Sequence, residues 1–175
     1  AMSDTVSPQG LISLCYTPEK NISELALTGS STVIYLHEIQ DPGNAGTILR
    51  TADAMGITAV VTSPDSVDMY SPKVVRSTAG SLWNIPVYEG VTFQALASIF
   101  PDTQKILLSS HASTSILDLK IAGDCIAVFG NEARGVDAAA LGAAVTEVTI
   151  PMAGNAESLN LSAAASIVMF TLSAK

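Results

Sequence analysis

The stretch "TVIYLHEIQDPGNAGTILRTADAMGITAVV", residues 32–61, holds two apolar, β-branched runs, Thr32 to Leu36 and Ile57 to Val61, with a helical pattern between them. Neither run alternates with polar residues, which is the habit of strands buried on both faces of a parallel sheet. Between them Ala45, Ile48, Leu49, Ala52 and Met55 recur as one buried stripe, predicting a helix over 44–56 with Asn44 as its N-cap and Gly56 at its end. Arg50 falls on the opposite side of that stripe. Further apolar runs at Ile106 to Leu108, Cys125 to Phe129 and Val145 to Ile150 predict more strands. Helical patterns are expected at about 72–79, 91–100, 137–143 and 157–173. Strand and helix alternate, so the fold class is α/β with a parallel sheet.

The chain of 175 residues suffices for a single domain with a sizeable core, and no linker-like or charge-rich stretch divides it. Sixteen acidic against eight basic residues give a net charge of -8. That balance exerts no general pull on a polyanion, so attraction to nucleic acid must be local or come from another segment. Cys15 and Cys125 are too few and too far apart for a disulfide framework, which favours a reducing, cytoplasmic setting. Neither a basic-then-apolar leader nor an apolar run long enough for a bilayer is present, so a soluble protein with no membrane partner is expected. Ala1-Met2 reads as a remnant of expression.

The segment "ESLNLSAAASIVMFTLSAK" (157–175) is polar in its first turn and apolar nearly all round from Leu161 to Leu172. Such a helix is buried, and the run Ala163, Ala164, Ala165 permits close approach of another element. A second subunit is the expected cover; the sheet alone is the alternative.

Three polar clusters each follow an expected strand: "SSH" (109–111), "GNEARG" (130–135) and "PMAGNAESLN" (151–160). In open α/β sheets the crevice at the carboxyl ends of the strands binds ligands, so the three are candidates for one site. No G-x-G-x-x-G joins a strand to a helix, and "GNEARGVD" lacks the Lys and Ser/Thr of a phosphate loop. His37 and His111 have no partners at metal-ligand spacing, and no G-x-S-x-G elbow is present, so no metal is expected. What remains suits binding a neutral or cationic cofactor beside a polar acceptor.

"DPGNAGTILRTADAMG" (41–56), "VFGNEARGVD" (128–137) and "IPMAGNAESLNLSAAASI" (150–167) resemble, in order and spacing, the three motifs of the SpoU/TrmH family of RNA ribose 2′-O-methyltransferases. The likeness covers about residues 32–175, taken as the methyltransferase domain. Residues 1–31, including "SPQGLISLC" (7–15), resemble the segment that leads into it from a small RNA-binding domain. The resemblance implies the SPOUT fold with a C-terminal trefoil knot, S-adenosylmethionine bound in that knot, RNA (ribosomal or transfer) as partner, and a homodimer with an RNA site built from both subunits.

It also implies roles for individual residues. Arg50 faces the acceptor ribose; because a guanidinium keeps its proton, it holds phosphate and stabilises the developing alkoxide rather than acting as base. Asn44, Glu132, Ser158 and Asn160 complete the catalytic set, with Glu132 orienting Arg50 or a nearby amide, or serving as base. Ser158 has a helix cap as its alternative role. Gly130, Ile150 and Leu159 match positions whose backbone meets the cofactor, with Met152 and Ser109 beside them; Lys73, Arg76 and Arg134 are expected at RNA phosphates. The alternatives are a non-catalytic RNA-binding or assembly module with the same pocket, and a knotted enzyme that methylates a base.

Overall fold

The computed structural model describes residue 10 and residues 13–174, so the reading of Ala1-Met2 and most of the 7–15 segment lie outside the described residues. Among those residues the chain forms β1 (Thr32–Leu36), α1 (Pro42–Ala54), β2 (Ala59–Thr62), α2 (Pro72–Ser77), β3 (Val87–Tyr88), α3 (Phe93–Ile99), β4 (Gln104–Leu108), β5 (Cys125–Phe129), β6 (Thr146–Val148) and α4 (Leu161–Ser173). Short 3-10 turns lie at Ile22–Glu24, Ser81–Trp83 and Ala138–Leu141. The six strands make one parallel sheet in the order β3-β2-β1-β5-β4-β6. β1 and β5 match their apolar runs end to end. β3 was not expected, because two residues are too few to show a period.

The chain winds outward from β1 through β2 to β3, then crosses to the other half of the sheet. The order therefore reverses between β1 and β5, whose last residues Leu36 and Phe129 are paired. A crevice opens at such a switch point, outside the carboxyl ends of the strands. Alternate strand residues serve two cores. Ile34, Leu36, Val60, Ala127 and Phe129 pack with α1, α2 and α4. Val33, Tyr35, Val61, Ile126 and Val128 pack with Phe93 and Leu96 of α3, and Ile22, Leu25 and Leu27 cover this second core.

Local chemistry moves several helix ends. Asp41, not Asn44, caps α1: its Oδ1 accepts from the Asn44 amide at 2.7 Å, and Pro42 sits at the start of the helix, where its fixed φ and missing N–H are tolerated. Asn44 therefore lies in the first turn. α4 begins at Leu161, four residues later than expected, with Asn160 as its cap and its Oδ1 accepting from the Ser162 and Ala163 amides. Ser158 precedes that cap and does not serve as one. The stretch expected as a helix over 137–143 is the 3-10 turn Ala138–Leu141.

α4 is not buried all round in the single chain. Ala164, Ala165, Val168 and Met169 are buried, whereas Ile167 and Phe170 are 40% and 62% exposed. The sheet alone does not cover this helix. No helix among the described residues is long and apolar enough to cross a membrane.

α1 and α2 meet at Gly46, where an added Cβ would stand 1.7 Å from Ser77 Oγ and 3.0 Å from the Ser77 carbonyl carbon. Ser77 is itself held by donating to the Pro42 and Val74 carbonyls, so it has nowhere to retreat. Gly46→Ala is expected to cost about 1–3 kcal/mol of stability through this overpacking. Urea unfolding reads the loss as a lower midpoint at unchanged slope.

Candidate active site

The three polar clusters converge. The loops after β4, β5 and β6, three neighbouring strands, line one cavity of about 410 Å³. Gly130, Ile150, Leu159, Met152 and Ser109 all lie on its wall, as do Glu132, Arg134 and Ser158. A second cavity of about 440 Å³ is lined by Gln40, Asp41, Asn44, Asn131, Glu132, Ala133 and Asn160. The two share Asn131, Glu132 and Ala133, so one stretch of the loop after β5 is the wall between them.

That loop is tight because its ends meet. Asn131 and Gly135 exchange backbone bonds at 3.2 and 2.8 Å, and Gly135 takes a φ of +63°. Gly130 needs no positive φ; what it needs is space. An added Cβ would stand 2.4 Å from the Gly135 carbonyl carbon and 2.5 Å from the Val136 nitrogen.

Glu132 reaches across the switch point to the turn that precedes α1. Its two carboxylate oxygens accept from the Gln40 amide at 3.2 Å and the Asp41 amide at 3.0 Å, and Asn44 Nδ2 lies 3.4 Å from Oε1. Within its own chain the carboxylate therefore orients Asn44 and the 40–41 turn, the amide partner that the sequence offered as one alternative.

Arg50 is exposed and lines neither cavity. It sits six residues beyond Asn44, about 9 Å along the helix, on an exposed stripe with Thr47 and Ala54. Lys73 and Arg76 are exposed on α2. Arg134 Nη2 donates to Glu38 Oε2 at 2.7 Å, at the rim of the first cavity.

Sequence reasoning passed over Gln40, Asp41 and Asn131, although each lies within or beside a quoted motif. His111, expected at the site as part of the 109–111 cluster, lines the first cavity with Ser109. Tyr35, under the end of β1, is no base: burial pushes its phenol up to about 12, and its hydroxyl donates to the Val91 carbonyl. Burial likewise pushes the Cys125 thiol up to about 12, which leaves it an inert core residue.

The volume of the first cavity lies within the roughly 300–1,000 Å³ of small-molecule sites. Its wall mixes apolar side chains (Leu108, Phe129, Ile150) with polar groups (Ser109, Asn131, Glu132). Lacking a phosphate cradle and carrying a carboxylate, this donor set fits a cationic cofactor with an apolar ring.

Comparison with known proteins agrees. The SpoU rRNA Methylase family model matches residues 31–170. The chain is 31% identical over 173 residues to the 23S rRNA (guanosine(2553)-2′-O)-methyltransferase RlmP of Bacillus subtilis, covering 98% of this chain and 68% of that protein. It is 35% identical over 150 residues to the 23S rRNA (guanosine-2′-O-)-methyltransferase RlmB of Xanthomonas axonopodis, covering 83% of this chain and 59% of that protein. The crystal structure of an AdoMet-bound rRNA methyltransferase from Sinorhizobium meliloti superposes with a TM-score of 0.80 at 28% identity, over 90% of this chain and 60% of that one. The chain thus spans about three fifths to two thirds of the length of these relatives.

Proposed function

The chain belongs to the SpoU rRNA methylase family, and from that premise we propose that it transfers a methyl group from S-adenosylmethionine to a ribose 2′-hydroxyl of structured RNA, ribosomal or transfer. The observation that carries the reading is the pair of adjoining cavities separated by residues 131–133, one suited to a donor and one to an acceptor.

S-adenosylmethionine supplies a methyl group on a sulfonium that is already a good leaving group. The protein's task is therefore alignment and care of the hydroxyl proton. Gly130, Ile150 and Leu159, with Met152 and Ser109, hold the donor in the first cavity. Asn44 and Asn160 present the ribose in the second, with Ser158 on the donor side. Glu132 holds the turn before α1 and orients Asn44; its Oε2 accepts only the Gln40 amide and so keeps a lone pair that takes the 2′-hydroxyl proton as the oxygen receives the methyl group. Lys73, Arg76 and Arg134 meet RNA phosphates, which position the substrate.

The acting unit is a homodimer. Ile167 and Phe170 on α4 are too apolar to be left in water, and Arg50 on the neighbouring α1 reaches the acceptor cavity of a second copy. α4 lies against α1, with Thr51 Oγ1 and Ser166 Oγ 3.3 Å apart, so both exposed stripes belong to one surface. Phe170→Glu is expected to shift the chain from dimer to monomer in analytical ultracentrifugation, with transfer lost in parallel. A charged residue in the core of an interface costs several kcal/mol unless it is paired. Residues 32–175 carry the activity and 1–31 lead into them, in a cytoplasmic setting. The reading includes the trefoil knot, with the segment past β6 tucked through a loop; that segment pairs at Thr149 with Thr114 and Ile116 of the loop after β4.

The test is transfer of tritiated methyl from S-adenosylmethionine to ribosomal and transfer RNA, followed by alkaline hydrolysis. A methylated 2′-oxygen can no longer attack the adjacent phosphodiester, so label is expected in alkali-resistant dinucleotides. Label in mononucleotides would mean base methylation; cofactor binding without label would mean a binding module. Either result overturns the proposal.

A further inference from the structure

Glu38, the second residue after β1, holds a left-handed backbone, φ +51°, that a residue with a Cβ adopts at a cost. Three side chains fix it there. Its amide donates to Ser63 Oγ at 2.7 Å, and its carbonyl accepts from Asn131 Nδ2 at 2.8 Å and from Gln40 Nε2 at 3.3 Å. Asn131 is 8% exposed and fully engaged, since its Oδ1 accepts from the Ala133 and Arg134 amides. It is also one of the three residues that wall off one cavity from the other.

We propose that Asn131 and Glu38 form a positioning pair: the buried carboxamide holds the strained turn after β1, so that the Gln40 and Asp41 amides stay aimed at Glu132 and the acceptor cavity keeps its place beside the donor cavity. Without the Asn131 bond, Glu38 relaxes out of the left-handed region, residues 39–41 swing with it, and Glu132 loses both amide partners. The kinetic consequence rests on the methyl-transfer reading; the structural one does not.

The two are separable by experiment. Amide hydrogen exchange of Gln40 and Asp41 is measured by NMR on the full chain without RNA, and methyl transfer is measured on the same samples. Asn131→Ala removes all three side-chain bonds, only one of which holds the turn after β1; the loss of that one is expected to speed exchange at both amides by about tenfold, the weight of one buried hydrogen bond, and to slow transfer at saturating cofactor and RNA. Adding Glu38→Gly, which makes a positive φ cheap, is expected to restore most of both losses. Adding Glu38→Gln, which removes the same charge from Arg134 but keeps the strain, is expected to restore neither. A purely structural site would give the opposite sign, because glycine in an already loosened turn adds disorder. Asn131→Asp, which keeps an acceptor for the 133–134 amides but turns a carboxylate oxygen on the Glu38 carbonyl in place of the donor, serves where the alanine variant does not fold and is expected to speed exchange at Gln40 and Asp41 at least as much. Parent-like exchange in Asn131→Ala or Asn131→Asp, or equal rescue by glycine and glutamine, overturns the pair. Intact exchange behaviour in a parent chain that transfers no methyl overturns the methyltransferase reading instead.

Discussion

Replacing Arg50 with alanine is expected to lower methyl transfer by about 10²–10³-fold, the loss seen when one preorganised stabiliser of developing charge is removed, while cofactor affinity stays within about twofold. The asymmetry follows from placement. Arg50 is exposed on α1 and lines neither cavity of its own chain, so its removal leaves the donor site untouched. On the proposed dimeric reading it serves the acceptor site of a second copy, as a permanent positive charge beside the oxygen that loses its proton. Mixing separates this from action within one chain. Combine Arg50→Ala chains with chains carrying Leu159→Trp, which fills the donor cavity. In a symmetric dimer that shares sites, half the molecules become mixed and each regains one of two sites, giving about a quarter of parental activity. No recovery would place the arginine on its own chain's site and sink the shared arrangement.

Gly130→Ala is the second large effect. Its Cβ would run into the Gly135–Val136 peptide, 2.4 Å from the Gly135 carbon and 2.5 Å from the Val136 nitrogen. Backbone cannot rotate away as a side chain can, so the loop from 130 to 135 must open. The expected loss is about 3 kcal/mol of stability, at the upper end of overpacking effects, with cofactor binding reduced at least about tenfold as the wall moves. Calorimetric titration of S-adenosylmethionine and a thermal melt on the same sample read both. A variant with parental affinity and melting temperature would show that the loop does not need the close approach.

Much of the sheet was legible because strands buried on both faces leave unbroken apolar runs. Thr32 to Leu36 and Cys125 to Phe129 could be bounded to the residue for that reason. The paired residues Val87 and Tyr88 left no such mark. The convergence of the 109–111, 130–135 and 151–160 clusters was legible from their common place after strands, and the adjacency of β5, β4 and β6 in the sheet realises it. Less legible were the ends of helices. Asp41 and Asn44 are both good caps, and only Pro42 at the helix start decides between them. Least legible was the partner of Glu132. Its bonds to the Gln40 and Asp41 amides span more than ninety positions, and no local pattern encodes a contact made by the reversal of strand order.

The central claim is that three distant loops form one donor site next to the turn before α1. Adding S-adenosylmethionine to the full chain and following amide exchange residue by residue tests it most directly. Slowed exchange is expected together at 130–135, 150–152 and 158–161, with α3 and the 3-10 turn at Ala138–Leu141 unchanged. Slowing at only one of the three loops, or on the α3 side of the sheet, would contradict a shared donor site.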